Sequence, residues 1–168
     1  MAAITDLATL AHTDLAVGDW LVVHDLSAAT DKKMAPYATG SWTPALNFGG
    51  ATTGITYSGA SGIYVVVSKL VFVQAVMILT SKGSATGNAS VSGLPVTSAA
   101  SQFAWLTLAW QNMTSSYVNM IGYVTTSVTT ISIRGITAAA TSNNIANVTE
   151  AGFANNSILY IHGTYRAA

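Results

Sequence analysis

The sequence contains a long apolar stretch, IYVVVSKLVFVQAVMILTSKG, at residues 63–83. Residues 63–79 contain only three polar side chains, Ser68, Lys69 and Gln74. A helix that crosses a bilayer needs about 20 mostly apolar residues, and a charge near its centre costs several kcal/mol. This run is shorter than that and has a lysine inside it. We therefore do not interpret it as a membrane span.

The same stretch predicts two buried strands. Six valines, Tyr64 and Phe72 favour strands, and Ser68 and Lys69 indicate the turn of an antiparallel hairpin. After the turn both faces are apolar, whereas an antiparallel sheet usually shows one face to water. We expect a second layer of this chain, or a neighbouring chain, to cover the second face. The two faces are Leu70, Phe72, Gln74, Val76 and Ile78, and Val71, Val73, Ala75, Met77 and Leu79.

Charge is scarce and unevenly distributed. Of 168 residues only 7% are charged, whereas about 25% is usual. Residues 1–33 hold five aspartates and two lysines, and the other 135 residues hold five charges. The chain therefore lacks a basic patch for nucleic acid, and its surface suits a protein that buries much of its surface in an assembly or one that lives outside a cell. It has no cysteine, and its N-terminus lacks the pattern of a signal peptide.

Catalytic and metal-binding patterns are missing. Glycoside hydrolysis usually needs two carboxylates, and after Asp31 the only acid is Glu150, which we interpret as a solvated loop residue. No nucleophile motif or phosphate loop occurs. His12, His24 and His162 have no ligand spacing, although three copies of His162 would offer a symmetric metal site in a trimer. We expect neither an enzyme nor a cofactor or metal site.

The chain divides into residues 1–35 and residues 36–168. In the first segment, residues 4–12 suggest a short helix, residues 19–27 a strand, and residues 31–36 a short strand or turn. The second segment indicates an all-β sandwich, barrel or jelly roll, because short strands alternate with glycine-rich turns. The predicted strands are 63–67, 70–80, 102–110, 117–124, 128–134 and 157–166. Predicted turns include FGG (48–50), SGASG (58–62), KGSATGN (82–88), SGLP (92–95) and NMTSS (112–116).

The aromatic residues permit two interpretations. Trp105, Trp110, Tyr117 and Tyr123 can stack on a sugar ring. Aromatic side chains in a β-domain more often belong to the core or to an interface, and we prefer that interpretation.

Several stretches resemble a β-rich domain at the C-terminal ends of tailed-phage fibre and related virion proteins. They are GSWTPALNFGG (40–50), TYSGASGIY (56–64), LVFVQAVMILTSKGSATGN (70–88), VSGLP (91–95) and LYIHGTYR (159–166). Residues 4–34 resemble the short module that often precedes such domains, with its D-x-L-V-x-x-D-x-S and K-K-M elements. The resemblance covers residues 40–168 as a pattern of strands and turns and includes no catalytic signature.

This resemblance implies a homotrimer of jelly-roll-like β-sandwich heads, each with a short N-terminal arm. Combined with the two apolar faces, it leads us to expect four residues at the trimer interface. They are Phe72, Val76, Leu106 and Trp110. The N-terminal arm is expected to attach the head, with an apolar anchor beside its charges. That anchor is Trp20, Leu21, Val22 and Val23. The alternative is that this arm adds a strand to the β-domain or forms a trimer collar.

The resemblance also implies a structural protein on the exterior of a tailed-phage virion, made in the host cytoplasm. The chain has no coiled-coil heptads or repetitive shaft, so we expect it to lie close to its attachment point. This favours a capsid decoration or cement protein bound to the major capsid protein. The alternative is the receptor-binding tip of a short tail fibre, held by a tail component and binding a host-surface glycan or protein. We expect no nucleic-acid partner and no membrane insertion.

Overall fold

The computed structural model describes residues 37–138 and 145–168 in full, and the backbone of residues 21–25 and 30–34. The chain forms two compact units, Met1–Ala38 and Thr39–Ala168.

Within the first unit, β1 (Leu21–Asp25) and β2 (Thr30–Met34) pair antiparallel. The strand predicted within residues 19–27 is confirmed, and the segment predicted as a strand or turn is a strand. The predicted helix over residues 4–12 lies outside the described residues.

The other strands are β3 (Ala38–Trp42), β4 (Ala45–Phe48), β5 (Ile55–Val67), β6 (Leu70–Lys82), β7 (Ala89–Ser92), β8 (Ala104–Met113), β9 (Tyr117–Val124), β10 (Thr130–Thr137), β11 (Ala146–Asn147) and β12 (Phe153–Arg166). A 3₁₀ turn, Glu150–Gly152, precedes the last strand. These strands form one sheet with the order β3-β5-β6-β12-β8-β9-β10-β7-β4, and β11 pairs with β10. The all-β prediction is confirmed.

The predicted hairpin around Ser68 and Lys69 is confirmed. Val67 of β5 lies opposite Leu70 of β6, and the two strands stay paired as far as Ile55 and Lys82. Ser68 has a φ of 56°, in the left-handed region that such a tight turn uses. The apolar run from residue 63 to residue 79 is therefore two antiparallel strands.

A single core lies on one face of the long strands. In β6 the odd-numbered residues 71–79 are buried, and the same alternation occurs in β10 and β12. The backbone N–H of Leu46 in β4 donates to the hydroxyl of Tyr57 in β5 over 2.8 Å, and the rings of Phe48 in β4 and Phe153 in β12 are 5.2 Å apart. Since these strands are distant in the sheet order, the sheet curls around the core.

The predicted turn at SGASG, residues 58–62, is wrong, because these residues lie inside β5. Gly62 provides space for a close approach. A Cβ at this position would overlap the indole nitrogen of Trp42 and lie 2.8 Å from the carbonyl oxygen of Gln74. This glycine thus serves strand packing, whereas turn prediction from sequence takes any glycine cluster as a break.

Candidate functional site

The outer face of the β5–β6 hairpin is apolar and exposed. Phe72 lies opposite Val65 of β5 and is 43% exposed, and Ile63 is 61% exposed. Val67 and Leu70 lie opposite each other on this face and are also exposed. We call these five side chains the apolar face. Among the described residues, no second layer covers it.

A small hollow adjoins the apolar face. It has a volume of about 120 Å³ and is lined in part by Phe72, Gln74 and His162. Gln74 and His162 are opposite each other in the pairing of β6 with β12, and both are exposed. Polar groups therefore border the apolar side chains at this position.

The four residues predicted at a trimer interface occupy different places. Phe72 belongs to the apolar face, and Val76 is half-buried on the outer side of the same strand. Leu106 is 1% exposed inside its own core, opposite Gly122 of β9, so the prediction that it contacts a partner is wrong. Trp110 packs half-buried against the core. In β8, the face with Leu106 therefore belongs to the core of this chain, and only the opposite face, with Trp105, is open to a partner.

Three aromatic side chains lie together on the outer face of β8 and β9. The Tyr123 ring centre is 4.4 Å from that of Trp105 and 5.6 Å from that of Phe103. Phe103 and Trp105 are 62% and 55% exposed. We call Phe103, Trp105 and Tyr123 the aromatic ledge. The rings of Phe103 and Trp105 present flat apolar surfaces to solvent, whereas Tyr123 is half-buried.

The sequence indicated only part of this cluster. Trp105 and Tyr123, two of the four aromatics considered for sugar stacking, lie opposite each other in the pairing of β8 with β9. Trp110 packs against the core instead, and the Tyr117 hydroxyl lies against Gly152. Phe103 was not among the four candidates. The signal that could have found it is its spacing of two residues from Trp105, which places both side chains on one strand face.

Arg134 of β10 adds a fixed positive charge to the aromatic ledge. Its guanidinium carbon lies 4.4 Å from the centre of the Tyr123 ring, within the range of a cation–π interaction. Its Nε is buried and has no hydrogen-bond partner among the described residues. The guanidinium therefore places a positive charge beside the aromatic ledge.

A polar hollow of about 420 Å³ continues from Arg134. Ser132 of β10 connects the two features, because it lies opposite Tyr123 on one side and Ser90 of β7 on the other. The volume falls within the range of about 300–1,000 Å³ that is typical of small-molecule sites. The hollow is lined by Gly49, Gly50, Asn88, Ala89, Ser90, Thr130, Ser132, Arg134 and Asn147.

Two tyrosine hydroxyls have structural roles. The Tyr165 hydroxyl donates to the carbonyl oxygen of Val96 over 2.7 Å and accepts from the Val96 N–H over 3.2 Å. Burial raises the pKa of Tyr165 to about 12 and also raises the pKa of Tyr57. These hydroxyls stay neutral and connect a strand to a neighbouring segment.

Glu150 is half-buried, which corrects the expectation of a solvated loop residue. Its Oε2 accepts a hydrogen bond of 2.7 Å from the backbone N–H of Gly87. No group of three or more His, Cys, Asp or Glu residues within the described ranges has a metal-binding arrangement. In the same ranges, no helix has the length and apolar character to cross a membrane.

The predicted attachment residues are described only in part. Trp20 lies outside the described residues. Leu21, Val22 and Val23 begin β1, where the structure describes the backbone. Their attachment role stays a prediction.

Comparisons with known proteins identify a shared fold. No family model matches this chain, and no curated protein matches its sequence. The crystal structure of the Dettilon tailspike protein is similar, with a TM-score of 0.65 and 17% sequence identity. The match covers 77% of this chain and 24% of the tailspike chain. This chain therefore has the fold of about a quarter of that tailspike protein.

Proposed function

We propose that this chain is a structural head domain of a tailed-phage virion, assembled as a homotrimer on the exterior of the particle. The apolar face is the observation that carries this proposal. The fold shared with part of a tailspike protein and the resemblance to fibre heads both support it.

The physical reason is the free energy of leaving the apolar face in water. Apolar burial contributes roughly 25 cal/mol per Å², and contiguous apolar surfaces on soluble proteins usually mark interaction sites. Phe72 is the central side chain, flanked across the strands by Val65 and, on β12, by Thr164. Self-association removes these side chains from water, with Gln74 and His162 at the margin fixing the orientation of the subunits.

The likeness to a tailspike protein favours a place on the tail, as in the receptor-binding tip considered from the sequence. A decoration or cement protein on the capsid is the alternative. Electron microscopy of gold-labelled antibodies on purified particles distinguishes these locations. Label at the tail supports the first, label over the capsid shell supports the second, and label on neither contradicts a virion role.

The homotrimer is tested by light scattering coupled to size exclusion. The expected mass is three times 17.3 kDa. Phe72→Asp should abolish the trimer, because an unpaired buried charge is costly. Val118→Asp is the control, because Val118 is 64% exposed on β9 and lies outside the apolar face. A stable wild-type monomer, or an equal effect of both variants, would contradict the proposal.

We also propose that the chain is not an enzyme. Glu150 is the only acid after Asp31, and its carboxylate is held by the N–H of Gly87. Purified protein should not clear host polysaccharide. Clearing that Glu150→Gln abolishes would overturn this proposal.

A further inference from the structure

The aromatic ledge and the polar hollow form one continuous surface. Tyr123 is part of the ledge and lies opposite Ser132, which lines the hollow. Arg134 contacts both, since it stacks on the Tyr123 ring and also lines the hollow. A ligand on this surface therefore meets exposed aromatic rings, a guanidinium group and several hydroxyl and amide side chains within one area.

This combination matches the chemistry of a sugar that carries an acid group. One face of a pyranose ring presents C–H groups, which pack against flat aromatic rings such as the exposed rings of Phe103 and Trp105. The sugar hydroxyls require donors and acceptors, and Asn88, Ser90 and Asn147 line the hollow. A planar guanidinium such as that of Arg134 pairs with a carboxylate through two parallel hydrogen bonds.

We propose that the aromatic ledge and the polar hollow bind a saccharide bearing a carboxylate group. The pyranose ring packs on the exposed ring of Trp105, and the carboxylate pairs with Arg134. This binding activity goes beyond the structural role proposed above. It requires only residues of a single chain, so it does not depend on the trimer.

The charge of the domain favours an acidic ligand. Residues 40–168 contain four cationic side chains and one acid, Glu150, which accepts a hydrogen bond from Gly87. A second hollow, of about 480 Å³, contains Lys69 and Arg166, but no aromatic side chain lines it. Of the three hollows, only the one that Arg134 lines combines a cation with neighbouring exposed aromatic rings.

The lining also favours a sugar over a second copy of this chain. An interface between copies requires an apolar centre, as the apolar face provides around Phe72. The hollow beside Arg134 is lined mainly by glycine, serine, threonine and asparagine. These small polar side chains suit a ligand rich in hydroxyl groups.

The test is a glycan array that contains uronic acids, sialic acids, their methyl esters and neutral sugars of matched length. We expect the wild-type protein to bind at least one carboxylate-bearing glycan and to bind its methyl ester at least about tenfold more weakly. Raising the ionic strength should weaken this binding, since salt screens the ion pair. The affinity for the best glycan is then measured by calorimetry.

Variants assign the binding to this surface. Arg134→Gln should lower the affinity at least about tenfold, whereas Arg166→Gln, the matched control at the end of β12, should leave it unchanged. Trp105→Ala should lower the affinity about three- to tenfold, and Trp105→Phe should retain most of it. Circular dichroism and melting temperature verify the fold of each variant.

Several results would overturn the proposal. They are an array on which no carboxylate-bearing glycan binds, equal binding of the acids and their methyl esters, and equal losses for Arg134→Gln and Arg166→Gln. A change of oligomeric state in Trp105→Ala without any loss of glycan binding would identify the aromatic ledge as a subunit contact instead.

Discussion

Replacing Leu106 with alanine tests whether this residue stabilises the single chain or an interface between chains. Leu106 is 1% exposed and lies between Gly122 of β9 and Gly163 of β12. A Cβ on Gly122 would lie 3.2 Å from the Cβ of Leu106, and one on Gly163 would lie 2.7 Å from its Cδ2. Both neighbouring strands already pack directly against this side chain, so little movement is available to fill the cavity left by its removal.

Leu→Ala substitutions in protein cores cost about 2–5 kcal/mol, and sites that cannot collapse lie toward the upper end. We therefore expect Leu106→Ala to lower the free energy of unfolding by about 3–5 kcal/mol. With a urea slope of about 2–3 kcal/mol per M, the unfolding midpoint should fall by about 1–2 M, measured by tryptophan fluorescence and circular dichroism.

Phe72→Ala is the matched comparison, because Phe72 is 43% exposed on the outer face. Its effect should depend on protein concentration, since it weakens subunit association, whereas the loss in Leu106→Ala should appear at every concentration. An unchanged midpoint in Leu106→Ala, or an effect that disappears on dilution, would show that Leu106 does not stabilise the single chain.

Three further predictions concern a buried hydroxyl, a close strand contact and the N-terminal arm. Because the folded pKa of Tyr165 is about 12 and the unfolded value about 10, its stabilisation is complete below pH 10 and is lost as the pH rises from about 10 to 12. In Tyr165→Phe, the free energy of unfolding from urea titrations should fall less over this pH range than in the wild-type protein. An equal fall in both proteins would contradict the prediction. Gly62→Ala should cost about 1–3 kcal/mol in thermal unfolding, because the new Cβ meets Trp42, whereas Gly59→Ala should cost little, because its nearest atom is 3.8 Å away. Equal melting temperatures for the two variants would be inconsistent with this packing. Deleting residues 1–35 should leave a folded, self-associating domain that no longer binds particles, and a truncated protein that unfolds or still binds them would disprove the attachment role.

The strands that can be predicted from the sequence are those in which bulky apolar residues recur at every second position. In β10, Ile131 and Ile133 are buried as their spacing predicts. Short strands such as β3, β4 and β7 were not predicted, because ATGSW, ALNF and ASVS contain small and polar residues. They become strands through partners that are distant in sequence, as when β4 pairs with β7.

The candidate site also combines features that the sequence shows with features that appear only when the strands pair. The sequence offered Trp105 and Tyr123 as two of four aromatic residues that can stack on a sugar, although a core or interface role was preferred, and it indicated neither Arg134 nor the polar hollow. Arg134 reaches the Tyr123 ring only because β9 and β10 are adjacent in the sheet. Residue spacing along one strand shows which side chains share a face, but not which strands are neighbours.

The all-β class, the hairpin at Ser68 and Lys69, and the scarcity of charge can be derived from the residues alone. These properties depend on local preferences and composition, which a linear chain displays directly. Which apolar face is buried follows from tertiary contacts instead, because both faces of β6 have similar hydrophobicity. The curl of the sheet placed Val71 and Leu106 inside and left Phe72 and Trp105 exposed. That choice depends on strand order and register, which are set by contacts between residues that are distant in the chain.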